Sequence, residues 1–120
     1  MVTRLTKGRL KVTISETRAE LGEVAAREVG AYIRSLLETK PEVNIIFASA
    51  PSQNDFLANL LLEEIDWSRV NAFHMDEYIG IDPHAPQAFG QFLRDRIFSK
   101  KTFKSVNYID SKACPIEYCT

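Results

Sequence analysis

The chain has 120 residues, 45% hydrophobic and 26% charged, with 15 Lys and Arg against 16 Asp and Glu for a formal net charge of -1. These are the proportions of an ordinary globular domain; they exclude disordered, collagen-like and low-complexity classes and leave room for a single hydrophobic core. With no net field to draw nucleic acid or a membrane surface, any anionic ligand has to be held by local groups.

After Met1 the sequence reads VTRLTKGRLKVTI, with four basic residues and no apolar stretch, so no secretory signal is expected. No apolar run approaches the ~20 residues of a membrane helix. Leu10, Val12 and Ile14 alternate with Lys11 and Thr13, the period of two that marks a short strand over 10–14. Thr17-Arg18-Ala19-Glu20 fits a capping box, with threonine on an orphan amide and glutamate reaching back. Leu21, Val24, Ala25, Val29, Tyr32, Ile33, Leu36 and Leu37 follow at helical spacing. Arg18, Glu23, Arg27, Arg34 and Glu38 take much of the remaining surface. The helix ends near Lys40-Pro41, where proline stops it.

Residues 43–48, VNIIFA, are nearly all apolar, as in a strand buried on both faces of a parallel sheet. The loop Ser49-Ala50-Pro51-Ser52-Gln53 leads to a second helix over about 54–64, with Phe56, Leu57, Leu60 and Leu61 inward. A turn at Asp66-Trp67-Ser68-Arg69, where Trp67 packs, precedes a third strand over 70–75. That strand runs straight into Asp76-Glu77-Tyr78. Pro86 opens a third helix with Phe89, Phe92, Leu93 and Ile97 on one side, and 106–109 form a fourth strand. Alternating strands and helices build βα units, hence an α/β fold with a mostly parallel sheet. Such sheets take their ligands beyond the C-terminal strand ends. Two segments are therefore singled out, the loops after 43–48 and after 70–75.

Each loop reads two ways. The first, Ser49 to Gln53, precedes a helix whose N-terminal amides form an anion site, with Ser49 and Ser52 adding hydroxyls. Alternatively, Ser52 or Asn54 simply caps that helix. In the second, a carboxylate at the strand end, shielded by Tyr78 and Phe73, is placed to accept a proton. Alternatively, Asp76 caps a turn and Glu77 is solvated. Neighbouring residues on a strand point to opposite faces, so one of the two faces the crevice. His74 falls within the apolar strand pattern and reads as a satisfied structural histidine, and neither it nor His84 has a second ligand type at metal spacing. Cys114 and Cys119 make a lone C-x4-C without partners and no disulfide framework; the reducing cytoplasm is the expected compartment.

The stretch VNAFHMDEYIG at 70–80, followed by His84, Pro86 and Phe89, closely resembles the glucosamine-6-phosphate deaminase (isomerase) family. IIFASAPSQNDFLANLL resembles the same family's sugar-phosphate loop and the helix after it, and the likeness runs from about Leu10 to Ile109. The related 6-phosphogluconolactonases usually carry Asp-Glu-Arg where this chain has Asp76-Glu77-Tyr78, which favours the deaminase side. The resemblance implies a three-layer αβα, Rossmann-like domain of sugar-phosphate isomerase type. It also implies an aldose-to-ketose isomerisation coupled to loss of ammonia, taking glucosamine 6-phosphate to fructose 6-phosphate. In that scheme Asp76 removes the C2 proton of the ring-opened amino sugar and returns it at C1, while Glu77 orients the loop. Ser49, Ala50, Ser52 and Gln53 hold the phosphate, and no metal or cofactor is implied. Lactone hydrolysis and sugar-phosphate binding without catalysis are the alternatives.

Two differences accompany the resemblance. Better-known members have a Thr-Gly-Gly/Ser-Thr-Pro type loop where this chain has Ala48-Ser49-Ala50-Pro51-Ser52. Nothing after Ile109 corresponds to the family's Asn-Gly-His-type motif, whose histidine assists ring opening, or to its later phosphate-binding lysine. The expectation is therefore the N-terminal part, residues 1–120, of a single larger domain whose sheet is cut after about four strands. Alone it is expected to be inactive, with the cut edge covered by the missing C-terminal half or by a second copy.

Overall fold

The computed structural model describes residues 2–118. Val2–Lys7 (β1) and Leu10–Ser15 (β2) form an antiparallel hairpin in which Lys7 pairs with Leu10 across the two-residue Gly8-Arg9 loop. Gly8 has φ 59°, and no non-glycine residue among those described has a positive φ, so the loop is a type II′ turn. The strand expected at 10–14 is thus present. It belongs, however, to a separate two-stranded sheet and not to the parallel one. Strand β1 escapes a periodicity reading because four of its six residues, VTRLTK, are polar; its partner across the turn makes it a strand.

Helix α1, Arg18–Thr39, starts with the threonine half of the expected capping box, Thr17 Oγ1 accepting from the Glu20 N–H at 3.1 Å. At the other end the Arg69 guanidinium donates to the carbonyls of Leu37 (2.7 Å), Lys40 (2.5 Å) and Pro41 (2.9 Å), a cation on the negative end of the helix. The buried face is Gly22, Val24, Ala26, Gly30, Ile33 and Leu37, whereas Leu21 and Tyr32, expected inside, are 52% and 65% exposed. The reason is the row of small residues at 22, 26 and 30, which lets the next helix approach closely. A Cβ added to Gly22 would lie 2.6 Å from Asp55 Cβ and 2.9 Å from the Phe56 nitrogen.

That next helix begins as a 3-10 turn, Pro51–Gln53, and continues as α2, Asn54–Leu60. It is shorter than the 54–64 expected. Arg34 of α1 takes hold of the segment beyond it, pairing with the Glu63 carboxylate at 3.3 Å and donating to the Glu64 carbonyl at 3.2 Å. Leu57 and Leu60 point fully inward, with Phe56 and Leu61 packed against the core.

Val43–Phe47 (β3), Val70–His74 (β4) and Ser105–Asn107 (β5) form the parallel sheet, in the order β3-β4-β5. One face carries Val43, Ile45, Phe47, Val70, Ala72 and Val106 into a single core with Ile33 and Leu37 of α1, Leu57 and Leu60 of α2, and Leu93 and Ile97. Trp67 is buried beside the Phe103 ring at 5.1 Å, the packing role expected of it. Lys104 pairs with Glu42; with help from Asn71, it holds the Glu42 carboxyl below the usual range. The opposite face of the sheet bears Asn44, Ile46, Phe73 and Met75. Ile46 is 69% exposed, so the strand expected to be buried on both faces is buried on one. Of the three layers of the αβα fold, the described residues supply two.

The third helix, α3, covers Phe89–Leu93 and runs on as a π-helical turn, Arg94–Phe98, closed by the Ser99 N–H on the Arg94 carbonyl at 3.1 Å. It starts three residues after the expected Pro86, for a reason that lies in the loop after β4. A short helix, Pro115–Tyr118 (α4), completes the described chain.

Candidate functional site

Strands β3 and β4 are adjacent, parallel and in register at Phe47 and His74, so residues 48–53 and 75–80 leave the same edge side by side. The Met75 N–H donates to the Phe47 carbonyl at 3.0 Å and carries the pairing one residue further. This is the edge beyond the strand ends where the topology predicts a ligand.

From the end of β4 the chain turns on two side chains. The His74 ring is buried, and its Nε2 accepts from the Ile109 N–H at 2.9 Å. The proton of the neutral ring is therefore on Nδ1, which donates to the Asp76 carbonyl at 2.9 Å. Both nitrogens are engaged by main chain, as expected of a satisfied histidine. Glu77 uses both its oxygens: Oε1 accepts from the amides of Tyr78 (3.1 Å) and Phe89 (2.9 Å), and Oε2 from that of Gly90 (2.9 Å). An anion thus sits on the first two amides of α3, and this cap, twelve residues back in sequence, fixes the helix start at Phe89 and not at Pro86. Glu77 is half-buried, not solvated, and it ties the loop to the start of α3.

Glu77→Gln keeps one acceptor oxygen and removes the charge. Because hydrogen bonds to charged groups are the stronger ones, it is expected to lower stability by about 1–2 kcal/mol in urea unfolding. An unchanged midpoint would remove the cap from the account.

Asp76 carries the free carboxylate. It is exposed, and no side-chain partner for it occurs among the described residues. The expected shield is not there. Tyr78 stacks on Phe89 with ring centres 4.7 Å apart, and Phe73 lies on the bare face of the sheet.

In the other loop, Ser49 Oγ donates to the Phe89 carbonyl at 3.3 Å, which joins the 48–53 segment to the helix start that Glu77 caps. Ala50 is extended and half-buried, and its carbonyl accepts from the Gln53 N–H at 2.8 Å. Neither Ser52 nor Asn54 caps a helix; Asn54 Oδ1 instead accepts from Arg96 Nε at 2.7 Å. Ser52 and Gln53 line a groove of about 340 Å³ with Arg18, Leu21, Gly22 and Phe56, and Asp76 is not part of that groove. The structure thus brings Ser49, Glu77 and Asp76 to one edge and turns Ser52 and Gln53 toward α1. Arg18, which sequence pattern places on a solvated helix face, is the charge that reading missed. It donates to the Pro51 carbonyl and pairs with Asp55 at 3.0 Å, directly beside the loop. His84 and Cys114 are exposed, and Cys119 lies outside the described residues.

No family model matches this chain. It is 28% identical over 93 residues to glucosamine-6-phosphate deaminase 2 of Bacillus subtilis, a match covering 74% of this chain and 36% of that protein. It is 25% identical over 95 residues to the glucosamine-6-phosphate deaminase of Streptococcus pneumoniae, covering 79% and 39%. In structure it is similar to a monomeric glucosamine-6-phosphate deaminase (TM-score 0.71, 21% identity, 86% of this chain and 44% of that one). It is also similar to the 6-phosphogluconolactonases of Thermotoga maritima (TM-score 0.73, 18% identity, 82% and 45%) and Plasmodium vivax (0.79, 17%, 95% and 41%). The chain has the α/β fold these proteins share and resembles the deaminases in sequence. It spans less than half the length of each.

Proposed function

We propose that this chain is the N-terminal part of an enzyme of amino-sugar phosphate metabolism that converts glucosamine 6-phosphate to fructose 6-phosphate and ammonia. The observation that carries the reading is the free carboxylate of Asp76, at the C-terminal end of β4, on a turn where the neighbouring His74 and Glu77 are both fully engaged. In the ring-opened sugar, Asp76 takes the proton from C2 while the C1 carbonyl oxygen gains one, giving an enaminol. The proton returns to C1, which leaves an imine at C2. Water adds there, and the C–N bond breaks to give the ketone and ammonia. A C–H next to a carbonyl needs a base in reach, and one on a strand end is rigidly aimed.

The phosphate is assigned to the 49–53 segment. A helix start without a side-chain cap, with the Ser52 hydroxyl beside it, supports that assignment, while the Ser49 hydroxyl is already bonded to the Phe89 carbonyl. Among the described residues no helix is long and apolar enough to cross a membrane, and the reducing cytoplasm is the proposed compartment. The bare apolar residues Ile46 and Met75 on the sheet support the reading of one part of a larger domain, covered by the rest of it or by a second copy.

The test uses protein produced from its complete reading frame, incubated with glucosamine 6-phosphate in D₂O. Ammonia release with solvent deuterium entering at C1 or C2 is the expected result. The lactonase fold neighbours favour a second reading, ester hydrolysis; cleavage of 6-phosphogluconolactone without ammonia would establish it in place of the first. Calorimetric binding of the sugar phosphate without turnover would point to a binding module.

A further inference from the structure

We infer that His74 is the residue that positions Asp76, acting through the main chain as a neutral imidazole held in one tautomer; this rests on the reading of Asp76 as the base. The ring is boxed in on three sides. Its Nε2 holds the Ile109 amide just beyond β5, the Tyr108 ring is centred 6.0 Å away, and a Cβ on Gly90 of α3 would come within 3.5 Å of Nε2. A ring so fixed leaves one direction for the Nδ1 proton, and the carbonyl of Asp76 occupies it. That bond ties the Asp76 carbonyl to the ring and so fixes the stretch of main chain from which the Asp76 side chain leaves.

Neither nitrogen is free to exchange a proton with a substrate, so His74 is a positioning residue and not a catalytic one. A side chain needed only for packing at this place would be apolar, as Phe47 is across the register. Imidazole differs from such a side chain in offering one donor and one acceptor at opposite edges of a flat ring. Here the two edges join the turn that carries Asp76 to a segment 35 residues away in sequence.

Three measurements test this. In the wild type, long-range ¹H–¹⁵N correlation spectra are expected to show the His74 proton on Nδ1 and a bare Nε2; a proton on Nε2 overturns the inference. His74→Leu removes both bonds. In protein from the complete reading frame it is expected to lower kcat for C2 proton exchange about 100-fold with KM little changed, the penalty of a misplaced base. His74→Asn puts an N–H where Nδ1 was and drops only the Ile109 bond, so it is expected to restore kcat to within a few-fold of wild type. A folded His74→Leu with wild-type kcat, or an Asn variant as impaired as the Leu variant, overturns the role of His74 alone. A wild type that exchanges no C2 proton overturns the assignment of Asp76 itself and this role with it.

Discussion

Replacing Asp76 with Asn is expected to lower C2 proton exchange in glucosamine 6-phosphate by about 10²–10⁴-fold, the range a positioned general base contributes. Folding should hardly notice. The carboxylate is exposed and without a partner among the described residues, and surface changes of that kind usually stay within about 0.5 kcal/mol. Sugar-phosphate affinity should also hold, since the proposed phosphate contacts belong to the 49–53 loop. The loss therefore falls on kcat, the pattern of an interaction made only in the transition state. The neighbouring Glu77→Gln is the informative contrast, because its carboxylate holds three amides and its loss is felt first in stability. Exchange retained in Asp76→Asn, in protein whose circular dichroism is unchanged, would take Asp76 out of the base role.

Gly22→Val is expected to destabilise the fold by about 3 kcal/mol, the upper end of the usual penalty for overpacking. The new Cβ would meet Asp55 Cβ at 2.6 Å, the Asp55 carbonyl carbon at 2.8 Å and the Phe56 nitrogen at 2.9 Å. Two of these are main-chain atoms, so relief comes only if α1 and α2 move apart. Better helix propensity than glycine returns well under 1 kcal/mol for a β-branched residue. Sterics win. Gly30→Ala is the milder contrast: its Cβ meets side-chain atoms of Glu63 and no main chain, Oε1 at 2.7 Å, Cγ at 2.9 Å and Cβ at 3.2 Å, so relief needs one side chain to turn, at the cost of its pairing with Arg34. The measurement is the urea midpoint of both variants, and equal stability of Gly22→Val and wild type would mean that the helices are not in close contact there. Because Asp55 and Phe56 lie within three residues of the 49–53 loop, Gly22→Val should also weaken sugar-phosphate binding.

What the sequence reveals of this fold is what rests on local pattern. The apolar runs at 43–48 and 70–75 mark β3 and β4 to within one residue, and the proline at position 41 marks the end of α1. The strand-end position of Asp76 follows from the same pattern. The misses share a cause, namely partners distant in sequence or of the wrong chemical type to be noticed. Gly22, Ala26 and Gly30 form the contact face of α1, but hydrophobicity points to Leu21 and Tyr32 because it does not register the value of small size. Pro86 looks like a helix start, while the side chain that makes the start belongs to Glu77, nine residues before that proline. Tyr78 reads as a shield for Asp76 until the stacking on Phe89 is seen. The two bonds of His74 end on main-chain atoms, one of them 35 residues away, and no side-chain motif records them.

The hairpin of β1 and β2 adds a property of another kind. Among the described residues its two strands pair only with each other, and Leu5, Leu10 and Ile14 remain 38%, 63% and 51% exposed. A two-stranded ribbon with so little buried surface is marginal by itself. It leans on α1, where Arg4 pairs with Glu28, and it has no share in the β3-β4-β5 ladder. Opening the ribbon therefore leaves that ladder intact. Its amides should trade hydrogen for deuterium well before those of Val70 or Ala72, so that a single polypeptide of this size melts in at least two cooperative units.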